Sequence, residues 1–301
     1  MGTLYASIRA GAMARSPHPC GPSSTTSPIM TRAQTPASSP RQPPLVRAAA
    51  WAADLLRATH RADAWSALGA ALRQLADYQN FIVMDYVIDR EPIIVDASLD
   101  RAYLTGIMAD YLRGLYQLDP FYRAFADGAE GFCRMDAIAP QDFRESEYFV
   151  RHYRSTGVVD ELRFLVPVGT GRTVHVLIER ESALARFSLA EARRYANAQP
   201  IVSAFVQEHV AWAERLPWRD APRPPLDLRA QIRAMAPGEI TPREGEILEL
   251  MLRGHSAKSI GSTLRIEEGT VTNHKRNVYA KLRIHSQAQL FDLLLRTLSK
   301  Q

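Results

Sequence analysis

Lysine is absent from the first 257 residues of this 301-residue chain; its four lysines are Lys258, Lys275, Lys281 and Lys300. A phosphorelay receiver holds its phosphoryl group with a lysine beside an acidic cluster, so no such module precedes Lys258. The pattern G-x-x-x-x-G-K-[ST], whose backbone cradles nucleotide phosphates, is missing too, which excludes an ATP-driven module. Cysteine is scarce. Cys20 and Cys133 fall in a polar tail and a folded segment respectively, which argues against a disulfide framework and fits a reducing compartment. No apolar run reaches the roughly 18 residues of a membrane span, and Arg9 and Arg15 are not followed by the apolar stretch of a secretory signal. The expectation is a cytoplasmic protein with no membrane partner. Asp160, Glu161 and His175 match no triad or metal-ligand spacing, so neither an enzyme nor a bound metal or cofactor is expected.

The charge that is present is unevenly placed. Residues 1–47 hold five arginines and no acid, residues 48–225 carry a net −4, and residues 226–301 carry a net +4. A basic end on an acidic middle suits a polyanionic partner at one end only. Residues 1–44 are rich in Ser, Pro, Thr and Ala and cannot bury enough apolar surface to offset their ordering entropy, so they read as a disordered tail. Residues 45–214 read as an α+β domain, a sheet flanked by helices. Apolar residues from Trp51 to Leu75 recur at helical spacing, and strands are expected over 81–88 and 92–95. Helices follow over 99–116, 120–125 and 140–153. A hairpin of 162–168 and 173–179 turns at Gly169-Thr-Gly-Arg172, and Ser188-Leu-Ala-Glu191 is a capping box opening a helix to about Trp212. Four prolines between 217 and 225 mark residues 215–235 as a stiff linker.

Residues 236–301 read as an all-α unit of four helices. In Thr241-Pro-Arg-Glu244 the threonine caps, the proline suits the first helical position, and the glutamate closes a capping box. Ile247, Leu248, Met251 and Leu252 form its apolar face, and Gly254 stops it. Ser256 opens a second helix to Leu264. A third runs from Glu268 to Leu282 with Val271, Val278 and Leu282 inward, and Ser286 caps a fourth. Short helices joined by tight turns ahead of a longer third helix form a helix-turn-helix, the layout of a major-groove reader. On the third helix Thr272, Asn273 and Arg276 share the outward face. Arginine can grip guanine O6 and N7, and asparagine adenine N6 and N7. Lys258, Thr270, Lys275 and Lys281 are placed for phosphate contacts, while His274 lies toward the Val271 and Val278 face.

The pattern I-T-P-R-E…I-L-x-L…G-x-S-x-K-x-I…G-T-V-x-N-H…N-V-Y-A-K-L over residues 240–291 resembles the C-terminal domain of the LuxR family of bacterial regulators. The resemblance implies a DNA-binding transcription regulator with a recognition helix spanning Thr270 to Lys281, double-stranded DNA as partner, a homodimer, and RNA polymerase as a further candidate partner. Glu267 stands where the family usually has a capping serine, and Thr272 where a lysine is common; the second departure leaves base preference open. Upstream, Tyr111…Asp119-Pro120 is similar to the Tyr…Asp-Pro segment of the autoinducer-binding domain of quorum-sensing members, which is a GAF-like sheet domain. That domain has a tryptophan one turn before the tyrosine, where this chain has Ile107, and another after the Asp-Pro, yet no Trp occurs between Trp65 and Trp212. The resemblance therefore implies the fold and a small-molecule ligand other than an acyl-homoserine lactone. The expected pocket lining is Tyr103, Tyr111, Tyr116, Asp119, Phe132, Tyr148 and Tyr153. Each tyrosine also suits a core position, and Asp119 also suits a helix N-cap. The alternative is a ligand-independent regulator whose α+β domain only dimerises.

Overall fold

Alternation along the strands sets which residues face which layer. In the computed structural model, which describes residues 44–99, 107–215, 228–236 and 238–298, β1 (Asn80–Val87), β2 (Ile93–Ala97), β3 (Gly131–Arg134), β4 (Val158–Gly169) and β5 (Arg172–Glu181) form one antiparallel sheet in the order β2-β1-β5-β4-β3. The turn Thr170-Gly171 closes the β4–β5 hairpin with Gly171 at φ 62°, a conformation glycine adopts without steric cost. Phe81, Val83, Phe164, Val166, Val176 and Ile178 share one face. They pack under α1 (Pro44–Ala58), α2 (Ala64–Arg73) and a 25-residue helix, Leu189–Ala213. That helix starts at the expected capping box: the Glu191 amide donates to Ser188 Oγ (3.2 Å), and the Ser188 amide donates to the Glu191 carboxylate (2.8 Å).

The opposite face is covered as well, by residues 107–157. This layer contains α3 (Ile107–Leu112), a 3-10 turn (Leu115–Leu118), α4 (Pro120–Ala126), a single turn (Met135–Ile138) and a 3-10 turn (Phe143–Glu145). A π turn, Phe149–Tyr153, then runs on through Arg154–Thr156. The expected helix over 140–153 is thus broken. Ser146 Oγ accepts from the Phe149 amide (3.1 Å), restarting the chain as a new turn, and Gly157 at φ 75° ends it. Strand β3 was not expected, because four residues are too few to display a period of two. In chain order the long helix is α5.

The C-terminal unit consists of α6 (Leu228–Met235), α7 (Pro242–Leu252), α8 (Ala257–Leu264), α9 (Glu268–Leu282) and α10 (Gln287–Leu298). Residues 228–235, assigned to the linker from sequence, form α6 and bury Leu228 and Ile232 against the helical core. The tail up to residue 43, Tyr103 and linker residues 216–227 lie outside the described residues. Apolar packing does not stop between the two units. One continuous cluster joins Leu115, Phe121, Phe143 and Tyr148 to Leu248, Val278 and Phe291.

Candidate nucleic-acid interface and the buried polar cluster

The helix-turn-helix is held by local chemistry legible in its residues. Thr241 and Glu244 form the reciprocal capping box of α7, with the Glu244 amide 3.3 Å from Thr241 Oγ1. Between α8 and α9 the chain turns through Arg265 at φ 55°. At Gly261 a methyl group would stand 2.8 Å from the Ile266 carbonyl, so only glycine permits this approach of helix to turn. Glu267 is the N-cap of α9 and makes no side-chain capping bond. Val271, Val278 and Tyr279 anchor α9 inward.

Thr270, Thr272, Asn273 and Arg276 are exposed on α9, and Lys258 is exposed on α8. Thr272 Oγ1 donates to the Glu268 carbonyl (3.1 Å), and Arg276 Nη2 lies 3.3 Å from Asn273 Oδ1, so the two expected base readers sit side by side. Lys275 is half-buried with Nζ 5.5 Å from the Tyr279 ring centroid. Lys281 is set apart from this group: its Nζ donates to the Glu244 carboxylate (2.7 Å) and to the Glu239 carbonyl (2.9 Å). Its charge is compensated within the domain, and with the Thr241 amide bond it holds the Glu244 carboxyl below the usual range against the opposing effect of burial. The ion pair ties α9 to the start of α7, so Lys281 serves the domain's own structure.

Beneath the second sheet face lies a charged cluster. Arg163 on β4 donates from Nη2 to Asp119 Oδ2 (2.6 Å) and from Nε to Glu161, and all three residues are buried. Tyr111 donates to Asp119 (2.7 Å), and Tyr153 donates to Glu161 Oε2 (2.9 Å). Asp119 also accepts from the Phe121 amide (2.9 Å), the expected N-cap of α4 with Pro120 in its first turn. The Arg163 guanidinium lies 4.2 Å from the Phe121 ring centroid. Burial opposes the Arg163 charge, but Asp119 and Glu161 outweigh it and hold the group protonated. Burial pushes the Glu161 carboxyl up, and burial together with the Glu161 charge pushes Glu179 up to about 8. Burial also pushes His152 down to about 4.

A cavity of about 20 Å³ opens among Met84, Met108, Tyr111, His152, Tyr153, Glu161, Arg163 and Glu179. Of the expected lining, Tyr111 and Tyr153 reach it. Asp119 stands behind it as the partner of Arg163 and Tyr111. Tyr148 and Tyr116 are buried in the same layer, the Tyr148 hydroxyl without a partner among the described residues. Phe132 does not belong: it packs with Phe164 (5.5 Å between centroids) on the opposite face of the sheet. Arg163, Glu161, Glu179 and His152 line it too, although no local motif singles them out. The alternation along β4 and β5 that marks Phe164 and Val176 as inward also places Arg163, Glu161 and Glu179 on one common face. That face reads as solvated until the layer of residues 107–157 is seen to cover it.

The model of "Bacterial regulatory proteins, luxR family" matches residues 239–294. A putative HTH-type transcriptional regulator in the exeN 3′ region of Aeromonas salmonicida is 30% identical over 182 residues, covering 59% of this chain and 93% of that protein. The spore germination protein GerE of Bacillus subtilis (strain 168) is 40% identical over 57 residues, covering 19% of this chain and 77% of that protein. In fold, the sheet domain is similar to the crystal structure of the VqsR LBD domain from Pseudomonas aeruginosa. The TM-score is 0.50 at 23% identity, over 56% of this chain and 99% of that one. With a helix-turn-helix at its C-terminal end and a relative matched over nearly its whole length, the chain belongs to the luxR family of bacterial regulatory proteins and is a DNA-binding transcription regulator, not an enzyme.

Proposed function

We propose that α9 enters the major groove of double-stranded DNA with Thr272, Asn273 and Arg276 reading base edges, while Lys258, Thr270 and Lys275 hold phosphates. The exposure of these side chains on one side of a helix-turn-helix, with Lys258 beside them on α8, is the observation that carries the reading. Phosphate neutralisation makes binding fall with salt, and each contact contributes about one unit to the slope of log affinity against log salt. Lys258→Ala should lower affinity across all duplex sequences and flatten that slope by about one unit. A loss confined to one sequence would move Lys258 to a base edge and overturn its phosphate role. The protein acts in the cytoplasm as a homodimer, because a single short recognition helix buries too little surface for high affinity. Sedimentation of the duplex complex as a monomer on a single half-site, at nanomolar affinity, would overturn the dimer.

The sheet domain is the input. Its cavity has room for about one water-sized molecule and is walled by charges, which favours control by direct contact between the domains over control by a long apolar effector such as an acyl-homoserine lactone. A second reading is favoured by Arg163, whose Nη1 is buried at the cavity wall without a partner among the described residues: a small polar effector that hydrogen-bonds there. Thermal shift distinguishes the two. An effector at a hundred times its Kd raises stability by about 2.7 kcal/mol. A flat response to a panel of small polar metabolites and lactones would leave direct contact as the reading.

A further inference from the structure

Chain adjacency places the buried cluster and the DNA-binding unit on either side of one short element. In the π turn Phe149–Tyr153, Arg151 points to the helix-turn-helix. It pairs with Asp292 on α10, and its guanidinium stands 5.6 Å from the Phe291 ring centroid. Arg151 Nε also donates to Glu147 Oε2 (3.0 Å), and the charge of Glu147, after burial itself, raises the Tyr279 hydroxyl on α9 to about 12. The next two residues point the other way. His152 stacks against Tyr111 and Tyr148, with centroids 5.5 and 5.2 Å apart, and Tyr153 donates to Glu161. Just upstream of the turn, Ser146 and Phe143 approach the end of α7: a methyl on Gly254 would stand 2.9 Å from Ser146 Cβ and 3.1 Å from Phe143 Cα, so the two units touch closely there.

We infer that this π turn is a lever that couples the buried Arg163–Glu161–Tyr153 cluster to the docking of α10, through the opposed engagements of Tyr153 and Arg151. The inference rests on the reading in which the sheet domain governs the helix-turn-helix. A π turn accommodates one more residue than an α turn and occurs mostly as a single widened turn. Its closure to an α turn shifts the register by one residue, a rotation of roughly 100° for the side chains beyond it. His152 and Tyr153 cannot keep their places in the cluster through such a rotation while Arg151 keeps Asp292. The two opposed engagements on one turn tie the position of Tyr153 to that of Arg151, and coupling of this kind is reciprocal.

Hydrogen exchange on the full chain tests the lever. Arg151→Ala and Asp292→Ala should each speed amide exchange in α10 by tenfold or more, and the swap of Arg151→Asp with Asp292→Arg should restore slow exchange. Tyr153→Phe removes one hydroxyl inside the cluster and touches nothing on α10. It should speed α10 exchange comparably while β1 and β5 stay protected, and the double variant with Arg151→Ala should add little. In reverse, Arg151→Ala should move the His152 ring resonances. Unchanged α10 exchange in Tyr153→Phe, additive effects in the double variant, or loss of protection across the sheet would each overturn the lever. Salt-dependent binding of a mixed-sequence duplex by all variants keeps this outcome separate from a failure of the DNA-binding reading, which would appear as loss of binding in the parent chain.

Discussion

Arg276 and Glu179 show how differently two side chains can be read. Arg276 is legible from sequence because an exposed arginine on the outer face of a recognition helix has one characteristic use, bidentate contact with guanine. Arg276→Ala should cost about 1–3 kcal/mol on a preferred duplex and relax one base position. Competition binding against single-position variants of that duplex checks this, and an unchanged preference would remove Arg276 from base reading. Glu179 looks like an ordinary solvated strand residue until its face is known to be covered. Its carboxyl, at about 8 in the fold against an ordinary 4.5, holds a proton that the unfolded chain releases. Between these values the unfolded state binds fewer protons, so this group makes stability fall as pH rises. His152, at about 4, acts oppositely, lowering stability as pH falls below its ordinary value of 6.5. Glu179→Gln isolates the first effect: its melting temperature relative to the parent should rise steadily from pH 5 to pH 8. A constant difference across that range would show that Glu179 is ionised in the fold.

At the scale of elements, helix starts were readable and irregular turns were not. The capping boxes at Ser188–Glu191 and Thr241–Glu244 form where the sequence places them, because a cap is a contact between residues three apart and needs no tertiary partner. Segment 140–153 has a helical apolar pattern, yet it divides at Ser146 into a 3-10 turn and a π turn. Packing Phe143 and Tyr153 inward while turning Arg151 toward Asp292 overrides local propensity there. Gly254 belongs to both levels. Its φ of 88° is the helix stop expected from sequence, but the approach of Ser146 and Phe143 is tertiary. Gly254→Ala should destabilise by about 1–3 kcal/mol through overpacking, with a further cost of ordinary size for the left-handed backbone. Urea denaturation reads it directly, and a loss below about 0.5 kcal/mol would mean that the two units do not meet at this point.

For the molecule as a whole, the consequential feature is the apolar cluster running from the sheet domain into the helical unit. Two domains joined only by a linker unfold separately, whereas two that share a core unfold together. Calorimetry of the full chain should therefore give one transition with matching calorimetric and van't Hoff enthalpies. Two resolved transitions, with the helical unit melting at the same temperature in Arg151→Ala as in the parent, would show that the shared core contributes nothing to stability.

The sequence by itself determined the output end: the α+β then all-α order, the helix-turn-helix, its caps and the residues on its outer face. Those features follow from spacings of three, four or seven residues along one helix and from charge placed on one segment. Only the tertiary structure decided the rest. It moved Lys281 into an ion pair with Glu244, Phe132 to the far side of the sheet and residues 228–235 into a helix, and it buried Arg163, Glu161 and Glu179 together. Strand alternation tells which residues share a face. Whether that face meets water or protein depends on chain segments about forty residues away, such as Asp119 beneath Arg163, and no local pattern encodes that.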